Sequence, residues 1–180
     1  MKILNVVTSN EGKYKEYKDK LSKYYEIEML NIDYPEIQAD ELEDVVEYAI
    51  DDLKEHAPLI IDDSGLFIEK LKGFPGVYSS YVMRTLGCDG ILRLLENIDL
   101  RKARFECVIG FIGEEMKLFK GESFGYITKK KLGTKGFGYD PIFRPEGREQ
   151  TYAEMWTKEK NKISHRGRAM DSLLDYLKDL

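Results

Sequence analysis

The chain has 180 residues, 42% of them hydrophobic, with two cysteines and a formal net charge of -5. That length supports one domain whose core needs no disulfide or metal staple, and an acidic balance argues against a surface that coats nucleic acid, which shows as a basic excess. No apolar run is long enough for a bilayer span, the N-terminus lacks a signal peptide's h-region, and Cys88 and Cys107 stand in apolar neighbourhoods outside any Cys-x-x-Cys spacing, so a cytoplasmic protein with no membrane or nucleic-acid partner is expected.

In chain order, residues 2–7 are apolar and rich in β-branched types, and read as a strand that breaks at the capping residues Ser9 and Asn10 into a helix carrying Tyr14, Tyr17 and Leu21. Residues 26–32 alternate weakly. Leu42, Val45, Val46, Ala49, Ile50 and Leu53 share one face of a second helix, which Pro58 stops. Leu59-Ile60-Ile61 reads as a short buried strand ending at Asp62-Asp63-Ser64-Gly65. After the punctuated loop at residues 72–76, a helical region runs through Leu95. Two alternating stretches, residues 104–112 and 116–128, then predict antiparallel strands joined at Gly113-Glu114-Glu115. The last helix spans about residues 164–177. Because this order is not a regular βαβ alternation, an α/β fold with a mixed sheet is expected.

Four stretches suggest chemistry. The turn Thr8-Ser9-Asn10-Glu11-Gly12-Lys13 joins a strand to a helix N-terminus, where free N–H groups and the helix dipole favour an anion. Thr8 and Asn10 add hydrogen bonds and Lys13 a full charge, although a capped helix with a surface lysine is the plain alternative. Asp62 and Asp63 are adjacent carboxylates that repel, and Mg²⁺ is a natural offset, with Glu36 as a further ligand. The alternative there is a simple turn. In GFGYDPIF, residues 136–143, Phe137 or Tyr139 could stack on a base, or the aromatics could be buried in a core-facing loop. Pro141 occupies the place of the third glycine of a dinucleotide fingerprint, which excludes that motif. Lys160, Ser164, His165 and Arg166 surround the start of the final helix, where donors from arginine and backbone suit a 6-oxo purine better than adenine. A capping or satisfied histidine is the alternative for His165. No function is assigned to His56.

Taken in order, Thr8-x-Asn10-x-x-Lys13, Pro35-Glu36, Asp62-Asp63-Ser64-Gly65-Leu66, the run from Gly73 to Ser79, the run from Gly136 to Phe143, the run from Thr151 to Met155 and the run from Lys160 to Arg166 cover the chain nearly end to end. Together they resemble the inosine triphosphate pyrophosphatase family, which hydrolyses non-standard purine nucleoside triphosphates. The resemblance implies one domain over residues 1–180, an elongated two-lobed fold with a long twisted mixed sheet, a nucleotide cleft between the lobes, and a homodimer. It also implies that Thr8, Asn10 and Lys13 bind the triphosphate and that Glu36 and Asp63 hold Mg²⁺. Asp62 or Asp63, with Lys13, would serve catalysis by helping water attack the α-phosphorus, releasing pyrophosphate. Phe137 would stack on the base, in a pocket lined by Tyr139, Asp140, Lys160, Ser164, His165 and Arg166.

Two departures stand out. Tyr48 occurs where some members carry a lysine, which would leave the phosphates to Lys13 and Lys160, and residues 79–84 match loosely. A related septum-inhibitor-like pyrophosphatase is opposed by the Ser-His-Arg and Gly-Phe-Gly-Tyr-Asp-Pro stretches. A purine-binding module without turnover is opposed by the presence of Glu36, Asp62 and Asp63 together. No single residue excludes GTP.

Overall fold

The structure, a computed structural model, describes residues 2–35 and 37–179. Strand β1 (Lys2–Val7) pairs in parallel on one side with β2 (Tyr25–Leu30) and on the other with β3 (Leu59–Ile68). The links are helix α1 (Glu11–Leu21) and helix α2 (Leu42–Leu53), as parallel neighbours require long crossovers. Asn10 caps α1 by accepting from the Lys13 amide at 3.1 Å. In α2 the expected stripe from Leu42 to Leu53 is the buried face.

Beyond β3 the sheet turns antiparallel. The expected hairpin is β5 (Lys102–Ile112) with β6 (Met116–Ile127), and β5 lies against β3 over ten consecutive pairs. Strand β4 (Pro75–Gly76) adds to β3, and β7 (Phe143–Pro145) adds to β6, giving the order β2-β1-β3-β5-β6-β7 with β4 off that path. The mixed sheet is as expected. The single helical region before Leu95 is instead two helices, α3 (Ser79–Thr85) and α4 (Gly87–Leu94), divided where Gly87 takes a left-handed φ of 63°. Short helix α5 (Thr157–Lys160) precedes α6 (His165–Lys178), whose N-cap is Ser164.

One expectation fails: β3 does not end at Ile61 but continues through Asp62, Asp63, Ser64 and Gly65 to Ile68. The turn preference of those residues is overridden by cross-strand pairing, Asp62 with Ile109 and Asp63 with Val108. The long strand ties three apolar clusters together. Ile60 packs with α1 and α6 on one face, Leu59 and Ile61 pack with α2 on the other, and Leu66 and Ile68 belong to a further cluster with Ile91, Phe105 and Tyr152. Close docking of α6 requires Gly121 of β6, because a Cβ there would strike the backbone of His165 and Ala169. Among the described residues no helix is long and apolar enough to cross a membrane.

Candidate active site

Where the apolar clusters meet, a cavity of about 500 Å³ opens, walled by the β1–α1 turn, the middle of β3, α3, the loop around Phe137 and the start of α6. The turn is shaped locally, since the Asn10 amide donates to Thr8 Oγ1 at 3.1 Å while Asn10 Oδ1 caps the helix. Lys13 Nζ then reaches across to β3, contacting both the Asp62 backbone oxygen and Asp62 Oδ2 at 3.1 Å.

Strand alternation separates the two aspartates. Successive side chains of a strand leave opposite faces, so Asp62 shares the face of Ile109, under α1 and α6, and Asp63 shares that of Val108, on the α2 side. Their mutual repulsion is therefore not what calls for a cation. Asp62 is matched inside the protein: besides Lys13, Arg166 Nε donates to its Oδ2 at 3.1 Å. Burial alone would raise this carboxyl, but Lys13 and Arg166 outweigh it and hold the group far below the ordinary aspartate value. The Cys107 thiol, 3.7 Å from Asp62 Oδ2, is pushed up to about 12 by burial and by that carboxylate, and stays protonated. Asp63 is half-buried on the cavity wall, its Oδ1 accepting from the Ser64 amide at 2.8 Å.

Behind the cavity lies a residue the sequence reading missed. Glu16 of α1, 2% exposed, takes Lys160 Nζ on one oxygen at 2.8 Å and Arg166 Nη1 on the other at 2.6 Å. Lys160 Nζ also contacts Asp140 Oδ2 at 2.7 Å. Burial would raise Glu16, yet Arg166 and Lys160 together hold it below its usual value, whereas burial wins at Asp140 and raises it despite Lys160. A signal was present: Lys13, Glu16, Tyr17, Lys20 and Leu21 form one helical stripe, so charges stand on the same face as buried Tyr17 and Leu21.

Of the two candidate stacking rings, Tyr139 sits in the core, its hydroxyl donating to the Ser79 oxygen at 2.8 Å. Phe137 is half-buried on the wall, with Lys160 Nζ 4.5 Å from its centre and Gly12 beside it, where a Cβ would collide with the ring. Its amide donates to Asp140 Oδ2 at 2.9 Å. His165 lines the cavity with its ring stacked on Phe105 at 4.5 Å, and its Nδ1 has no hydrogen-bond partner among the described residues. Burial, together with Arg166 and Lys160, holds its pKa well below the usual histidine value, so the ring is neutral.

Arg166 is more committed than expected. Its three nitrogens donate to Asp62, Glu16 and Ser64, which fixes the guanidinium in the cavity wall and engages three of its five N–H groups. Ser164 is fully buried and caps α6 by accepting from the Gly167 amide at 3.1 Å, off the cavity surface. Tyr48 is 44% exposed on α2 and also lies off the cavity, and Lys160 lies under Phe137. Glu36 falls outside the described residues. The remaining expected residues, Thr8, Asn10, Lys13, Asp62, Asp63, Phe137, Tyr139, Asp140, Lys160, His165 and Arg166, all line the one cavity.

A sequence profile of the Ham1 family matches residues 4–176. The chain is 53% identical over 176 residues to the dITP/XTP pyrophosphatase of Pyrococcus horikoshii, spanning 96% of this chain and 95% of that protein. It is 49% identical over 183 residues to the dITP/XTP pyrophosphatase of Thermococcus kodakarensis, spanning 98% and 97%. The fold is similar to that of the solved Staphylococcus aureus Ham1 protein, with a TM-score of 0.84 at 30% identity over 99% of each chain. Sequence and fold agree over almost the whole length, and on that agreement the chain belongs to the Ham1 family.

Proposed function

We propose that the protein hydrolyses non-standard purine nucleoside triphosphates, ITP, dITP and XTP, to the monophosphate and pyrophosphate. The observation that carries this reading is a single cavity lined together by an aromatic ring, Phe137, the strand-to-helix turn from Thr8 to Lys13, and the carboxylates Asp62 and Asp63. The names of the relatives, dITP/XTP pyrophosphatase, support dITP and XTP among these substrates.

The purine lies against Phe137, a contact worth about 1–3 kcal/mol for a stacked base. The backbone N–H groups of His165 and Arg166, first in α6, precede the intrahelical bonds and suit an acceptor oxygen at the purine 6-position. Neutral His165 adds no charge there. The phosphates extend to the β1–α1 turn, where the helix N-terminus and Lys13 offset their charge.

The donor set fits Mg²⁺: Asp63 presents a hard oxygen on the wall, Glu36 is a second carboxylate in sequence, and Mg²⁺ characteristically takes one or two carboxylates plus waters and phosphates. When bound, the ion neutralises phosphate charge. Asp62, gripped by Lys13 and Arg166, is a poor proton acceptor and acts by orienting Lys13. Of the two aspartates, Asp63 then takes the proton of the attacking water.

Pyrophosphate release with Mg²⁺, measured on ITP, XTP, GTP and ATP at matched concentration, tests the reading. Rapid release from ITP and XTP with ATP at least 100-fold slower is expected, and tight binding of ITP with no release would leave a binding module in its place. We further propose a homodimer working in the cytoplasm, a reading supported by the exposed Phe74, Tyr78, Tyr81 and Leu86 along one hollow and by two unpaired cysteines. Light scattering should give about twice 20.9 kDa, and a monomer at micromolar concentration would reject the dimer.

A further inference from the structure

The charged side chains lining the cavity cancel in number, Lys13, Arg84, Lys160 and Arg166 against Asp33, Asp62, Asp63 and Asp140. Three of the cations are already engaged, Lys13 and Arg166 by Asp62 and Lys160 by Glu16 and Asp140. Arg84 is different. It is exposed, and among the described residues no carboxylate lies within ion-pair distance. Its guanidinium rests 5.9 Å from the ring of Tyr81, a weak contact that is easily given up.

Its position is equally specific. A second hollow of about 580 Å³ adjoins the cavity, and the residues lining both are Tyr34, Asp63, Ser80 and Arg84. Arg84 follows Ser80 by one turn of α3, so the two share a face, and the second hollow takes in Asp63 with them but not Phe137, Lys160 or His165. A planar guanidinium is suited to bidentate pairing with phosphate oxygens.

We infer that Arg84 is a phosphate-binding residue that grips the outer phosphates of the substrate, adding to Lys13 a positive charge that no carboxylate of the described residues offsets. The inference rests on the proposed triphosphate reading, and its test does not require turnover. Calorimetric titration of the parent protein, Arg84→Ala and Arg84→Lys with inorganic tripolyphosphate and with IMP, Mg²⁺ present, reads recognition of the phosphate chain and of the base separately. Arg84→Ala should weaken tripolyphosphate about 10- to 100-fold, the factor for a charge-assisted pair, and leave IMP within about twofold. Arg84→Lys should restore part of the loss. On XTP, KM should rise by the same factor in Arg84→Ala. Unchanged tripolyphosphate affinity, or equal losses for tripolyphosphate and IMP, would overturn the assignment. Absence of pyrophosphate release by the parent would instead count against the proposed hydrolysis, with the calorimetric comparison still deciding the role of Arg84.

Discussion

Two adjacent aspartates with identical chemistry acquire different surroundings through one geometric fact, the alternation of side chains along β3. Asp62 faces Lys13 and Arg166 and is held ionised far below the ordinary value, while Asp63 stands on the cavity wall, in the lining that also includes Arg84. Replacing Asp63 with asparagine should lower pyrophosphate release at least 100-fold while the melting temperature moves by only a few degrees, since its side chain is half-exposed. A variant retaining activity within threefold would remove Asp63 from the chemistry. The identity of these residues was legible in the sequence as a carboxylate pair. Their opposite orientation was not, because the strand was expected to stop before them and only pairing with β5 carries it through.

At the scale of elements, Glu16 acts as the meeting point of α1, α5 and α6. Lys160 ends α5, Arg166 opens α6, and both terminate on this one carboxylate in a nearly water-free setting. Removing one partner of such a buried arrangement leaves uncompensated charge and typically costs about 3–5 kcal/mol. Glu16→Gln should therefore lose about that much stability in urea unfolding, and should also loosen Phe137, whose ring lies over Lys160. A loss under 1 kcal/mol would mean that the helices are held by their apolar faces alone. The helices themselves were readable from apolar spacing and capping residues. Glu16 was hidden because only docking against α5 and α6 turns a helical glutamate into a buried one.

For the whole molecule, the largest pH effect near neutrality should come from His165. The folded ring is held neutral by burial with Arg166 and Lys160 against it, aided by Lys13 and opposed by Asp62, and it is packed against Phe105 and Tyr152. The unfolded chain takes up a proton below about pH 6.5, so the stabilisation is complete above that value and declines as pH falls below it. One pH unit lower the loss is about 1.4 kcal/mol. Asp140, raised by burial, acts in the opposite direction as pH falls. The difference between parent and His165→Gln in urea unfolding at pH 8 and pH 5.5 isolates the histidine. The variant should show the smaller decline, and equal declines would contradict a neutral buried ring.

By itself the sequence determined the hairpin of β5 and β6, the start and cap of α1, the start of α6, the buried stripe of α2, and the residue types gathered around the cavity. Such features arise from backbone preferences and periodicities acting over a few residues, and these are written locally. Only the tertiary structure decided which charges are spent on one another and which stay available. Arg166 and Glu16 stand 150 positions apart in the chain, and no local rule pairs them. That pairing fixes the Arg166 guanidinium in the cavity wall, and leaves Arg84 as the cation without a carboxylate partner among the described residues lining the cavity.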